Sequence, residues 1–109
     1  MKLLVAVVQD QDAGTLMNRL IERGFGATKL ASTGGFLREG NTTLLVGVDD
    51  SRVQAALDCI REVCHHRRQS IPAGSAQARG LGGLLARGGV VEVGAATVFV
   101  LAVDRFERV

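Results

Sequence analysis

The sequence has no Trp, no Tyr, one Pro and only four Phe among 109 residues. A core must therefore be built from aliphatic side chains and Ala. There are only two cysteines, Cys59 and Cys64. That excludes the several-bridge framework of a small secreted domain. Long apolar runs are also missing. The N-terminal run Leu3–Val8 stops after six residues at Gln9-Asp10-Gln11-Asp12, too short for a signal-peptide core or a membrane span. The net charge is only +2, which gives no electrostatic footprint for DNA or RNA. No GxxxxGK[ST] occurs, and no GxGxxG follows the first apolar run. The length suits a single domain over 1–109, and 47% hydrophobic residues exclude a disordered chain. The chain is thus expected to be cytoplasmic, without membrane insertion and without nucleic acid as partner.

Glycine is abundant: 14 residues, about twice the average share. A domain of this size buries roughly 60–70% of its unfolded surface, so it gains from assembly.

Residues 2–8 read as a strand. Asp12 is placed to cap a helix running to about Arg23, with Ala13, Leu16, Met17, Leu20 and Ile21 on one face. Gly24 follows as a left-handed helix end. Residues 26–33 read as a second strand, Thr33 to Gly40 as a loop, and Asn41 opens a third strand to Val48. Asp49-Asp50-Ser51 offers caps for a helix with the stripe Val53, Ala56, Leu57, Ile60 and Cys64. From 65 to 89 no period is sustained. The stretch carries six glycines, Pro72, Arg67, Arg68, Arg79 and Arg87 and no acid, so it reads as a long flexible loop; the run 81–86 offers at most a turn of helix. Residues 90–103 are extended, broken at Gly94-Ala95. The predicted class is α+β: a ferredoxin-like split βαβ (βαββαβ), with two helices on one face of an antiparallel sheet. The other face needs cover.

Chemistry concentrates at Thr28, Thr33-Gly34-Gly35-Phe36-Leu37, Asn41 and Gly47. Paired glycines let backbone N–H groups approach an anion. Phe36 on a loop can stack on a base. Asn41 carries the donor and acceptor that match an adenine edge. The same residues also suit a plain hairpin turn, with Phe36 in the core and Asn41 ending a strand. From composition alone that plainer outcome is the commoner one.

Other constellations are weaker. Cys64 lies on the apolar stripe and reads as core. Cys59 lies about 100° or more from its centre and reads as boundary or interface. Cys59, Cys64, His65 and His66 lack metal-ligand spacing, and a Cys–His nucleophile lacks an orienting acid. Asp10, Asp12, Asp49 and Asp50 precede helices and read as caps. The arginines of 65–89 read as solvating charges.

The strings Val5–Asp12, Thr28-Lys29-Leu30-Ala31, Thr33–Leu37 through Gly40–Thr43, Gly47-Val48, Val91–Gly94 and Ala96–Leu101 together resemble the PII-like cyclic-di-AMP receptor family of bacteria. The resemblance spans the chain except 65–89. It implies a homotrimer with three sites in clefts between subunits, signal transduction without catalysis, cyclic di-AMP as ligand with no other cofactor, and a protein partner that reads the ligand state. Carried over, Gly35, Phe36 and Leu37 would line base and phosphate. Asn41 and Thr28 would recognise adenine. Ala27 and Gly47 would line the pocket. Arg108 in the C-terminal tail is a further candidate. Relatives often carry Arg where this chain has Gly26. The alternatives are a PII-like trimer for ATP or ADP, and a small metal-binding trimer using Cys64 with His65 or His66.

Overall fold

The computed structural model describes residues 1–30, 40–71 and 89–109. Strand β1 (Lys2–Gln9) leads into helix α1 (Asp10–Glu22), then β2 (Gly26–Leu30) and β3 (Asn41–Val48). A 3-10 turn (Asp50–Arg52) precedes α2 (Val53–Cys64), followed by β4 (Arg67–Ile71), β5 (Gly89–Val93) and β6 (Ala96–Ala102). The main sheet is antiparallel, in the order β2-β3-β1-β6. With two helices on one face, this is the ferredoxin-like arrangement expected.

Alternation of side chains explains how the layers form. Leu4, Ala6 and Val8 of β1 and Leu44, Val46 and Val48 of β3 form one buried cluster with Ala13, Leu16 and Leu20 of α1 and Ala56, Ile60 and Cys64 of α2. Phe25 joins this core, with the Arg52 guanidinium 4.1 Å above its ring. Gly24 ends α1 at φ +83, as the helix-end reading required.

Several expectations are corrected. Asp12 does not cap α1. The helix begins at Asp10, with extended Gln9 before it and no side-chain cap. The Asp10 N–H is taken by the Gly40 carbonyl at 2.9 Å, and the Asp12 carboxylate, buried within the first turn, is taken by Arg67. Asp49 and Asp50 likewise cap nothing by side chain; Asp50 meets the α-amino group of Met1 at 2.8 Å. Ile21 is exposed, at the edge of the α1 stripe. Cys59 is fully buried, not at a boundary, because α2 packs against α1 as well as the sheet and so buries a wider arc. The second strand is described only to Leu30.

The stretch 65–89 is not wholly loop. Arg67–Ile71 pairs antiparallel with Gly89–Val93 as a separate two-stranded ladder. Its first strand, Arg-Arg-Gln-Ser-Ile, has no apolar alternation, so nothing in its pattern announced pairing. Gly94 and Ala95, both at positive φ, turn the chain from this ladder back into the main sheet. The break read at Gly94-Ala95 is therefore real. The run 81–86 lies outside the described residues.

One polar atom of the open sheet face stands out. Thr43 is buried, and among the described residues its Oγ1 meets no hydrogen-bond partner. An unpaired buried hydroxyl costs about 1–3 kcal/mol. Thr43→Val is expected to raise the melting temperature of the ligand-free protein by several degrees. A fall in a thermal scan would mean that an assembled partner supplies the missing group.

Candidate ligand-binding face

Register assigns each predicted site residue to a face. Residues directly opposite in an antiparallel pair share a face. Thr28 pairs with Leu45, which pairs with Val5; Gly47 pairs with Leu3 and Gly26; Asn41 pairs with Gln9. Thr28, Asn41 and Gly47 thus share the face turned away from the helices. Leu3, Val5, Val7, Leu45, Phe99 and Leu101 lie on the same face. It is apolar, and among the described residues it exposes Leu30, Phe99 and Leu101 by 39%, 44% and 49%, while Thr43 on the same face is buried.

Ala27 differs. It pairs with Val46 and packs against the helix-side core. Its side chain lies on the opposite face from Thr28, leaving only its backbone for a cleft on the open face. Gly35, Phe36 and Leu37 lie outside the described residues. Arg108 is exposed in the tail after β6, which leaves the sheet where Ala102 pairs with Lys2, the end opposite Asn41.

The three open-face residues do not converge. Asn41 and Gly47 are six positions apart on β3, about 20 Å at strand rise. Thr28 sits between them, opposite Leu45. Gly47 has neighbours already, since a methyl built there would lie 3.3 Å from Met1 Cε. At the other end β2 reaches only to Thr43, so Asn41 and Thr42 extend past the described part of β2.

Beneath this corner lies a polar junction that sequence reading did not find. Thr42 Oγ1 donates to Asp10 Oδ1 at 2.5 Å. Gln9 Oε1 accepts from the Gly94 N–H at 2.8 Å. Arg67 forks onto Asp12, with Nη2 at 2.6 Å from Oδ1 and Nη1 at 3.4 Å from Oδ2, and Nη1 also donates to the His65 carbonyl at 3.1 Å. The bond to Asp12 raises the Arg67 pKa above its ordinary value. Arg67 was read as a solvating charge. Its partner is 55 residues away, so no local spacing reveals the pair.

The cysteine–histidine group takes a plain form. Burial first, and then the Asp12 carboxylate, push the Cys64 thiol up to about 11. Cys59 is also raised, chiefly by burial. Neither is a thiolate at neutral pH. His65 is exposed, with Nδ1 against the Glu62 carbonyl at 3.0 Å. A surface recess beside it is lined by Asp58, Arg61, Glu62 and His65. Its acids are already engaged, Asp58 by Arg61 and Glu62 by Arg23. Among the described residues no group of three His, Cys, Asp or Glu is placed to hold a metal, and no helix is long and apolar enough to cross a membrane.

Comparison with known proteins agrees with this architecture. A crystal structure of a functionally unknown protein from Pediococcus pentosaceus ATCC 25745 is similar to this chain, with 40% sequence identity and a TM-score of 0.77. The match covers 99% of this chain and 96% of that one. The family model for cyclic-di-AMP receptors matches residues 1–109. The chain belongs to the cyclic-di-AMP receptor family, a PII-like family.

Proposed function

We propose that the chain is a receptor, not an enzyme, that binds cyclic di-AMP in clefts between the subunits of a homotrimer. The observation that carries this is the spread of Thr28, Asn41 and Gly47 along an apolar sheet face that the described residues leave largely exposed. An exposed apolar face of this kind is a surface for assembly. Residues about 20 Å apart on one strand cannot all surround one base in a single subunit. A second subunit packed on the face brings opposite ends of two copies together.

In that cleft Asn41 reads the adenine edge and Thr28 adds a hydroxyl. Gly47 admits the ligand closely once the flexible Met1 side chain moves. Phe36 stacks on a base, with Gly35 and Leu37 offering backbone to the ligand. Arg108 supplies a cation from the tail. Binding shifts the population of arrangements around the cleft by its differential affinity, and a protein partner reads the shift.

Melting the protein with cyclic di-AMP, cyclic di-GMP, ATP and divalent metal ions tests this reading. At 100 times its dissociation constant a ligand adds about 2.7 kcal/mol per site, a rise of several degrees. A rise with cyclic di-AMP alone is expected. A rise with ATP alone would replace the ligand. A metal-dependent rise abolished by His65→Ala would replace the whole reading.

A further inference from the structure

A two-stranded ladder standing alone in water is marginal, and β4–β5 is not part of the main sheet. Among the described residues, side-chain and backbone bonds at its base hold it. Arg67, the first residue of β4, forks onto Asp12 and also bonds the His65 carbonyl. At the end of β5, the Gly94 N–H is held by Gln9, and the Ala95 N–H by the Cys64 carbonyl at 2.5 Å. Asp12 is only 4% exposed. A buried carboxylate that loses its cation is strongly destabilised, so this fork is either made or broken, with no cheap intermediate.

The same short segment also fixes the start of β3. Gln9 is the register partner of Asn41. Asp10 takes the Gly40 carbonyl on its N–H and the Thr42 hydroxyl on its carboxylate. Residues 9–12 therefore hold the Asn41 corner on one side and the base of the ladder on the other.

We propose that Arg67 and Asp12 are positioning residues that couple the β4–β5 ladder to the ligand face through the Gln9–Asp12 junction, so that ligand at Asn41 and a closed ladder favour each other. This rests on the receptor reading above. The coupling is reciprocal: whatever factor the ligand adds to ladder closure, ladder closure adds to ligand affinity. A purely structural fork would hold the ladder equally with and without ligand.

Hydrogen exchange of the β4 and β5 amides, with and without saturating cyclic di-AMP, separates the two. In the wild-type protein the ligand is expected to slow these amides about fivefold or more, within the usual range of coupling between sites. In Arg67→Gln the ladder exchanges fast in both states, and cyclic di-AMP binds more weakly by a similar factor. Arg67→Lys keeps the charge without the two-pronged geometry, so it restores part of the ligand response; it also stands in if Arg67→Gln does not fold. Ligand-induced slowing of wild-type size in either variant, with affinity unchanged, overturns the coupling and leaves the receptor reading intact. A wild-type protein that binds no cyclic di-AMP overturns both.

Discussion

Asn41→Ala is expected to weaken cyclic di-AMP binding by about 5- to 150-fold, the equivalent of the roughly 1–3 kcal/mol that one paired donor–acceptor contact to a base contributes. The size follows from position as well as chemistry. Asn41 opens β3 on the open face and is anchored by register to Gln9. Among the described residues, the pairing of β2 with β3 ends at Leu30 and Thr43, two positions from Asn41. A carboxamide held on a paired strand loses little freedom when it meets a base, so most of its bond energy appears in the affinity. Equilibrium dialysis of the two proteins against labelled ligand gives the ratio directly. Equal affinities would remove Asn41 from the site.

The second large effect is on the fold. Gly94→Ala is expected to lose about 3–5 kcal/mol, placing it among the few severe single substitutions. Gly94 sits at φ +91, where a side chain is strained. A methyl there would also drive into the His65 carbonyl oxygen and come within 2.9 Å of Arg67 Nη1. Backbone cannot step aside as a flexible side chain does, and any shift breaks the Gln9 bond. For a domain with roughly 5–15 kcal/mol in hand, the melting temperature should fall by about 15 °C or more. Gly14→Ala is the control. It lies within α1 with nothing within 4 Å of an added methyl, so it should stabilise slightly, by about 0.5–1 kcal/mol. Similar melting temperatures for the two variants would contradict the geometry at Gly94.

The main sheet and both helices were legible because their residues repeat at the periods of strand and helix. Leu4, Ala6 and Val8 alternate, and Ala56, Ile60 and Cys64 share a helix face. The ladder was not legible, since Arg67–Ile71 shows no apolar alternation and its pairing with Gly89–Val93 is a long-range match. Asp12 misled for a related reason. An acid before an apolar helix reads as a cap, and only the folded chain shows that Arg67 claims it. Of the proposed site residues, Thr28, Asn41 and Gly47 share a face without converging on one point. Ala27 falls on the other face because neighbours on a strand point oppositely. The exposure of Phe99 and Leu101 on the same face is something composition alone could not place.

The most direct measurement is a crystal structure of the complex with cyclic di-AMP. The ligand is expected between two copies of the chain, against the open sheet face, with Asn41 on an adenine edge. Ligand seated on the helix side, or wholly within one subunit, would contradict it.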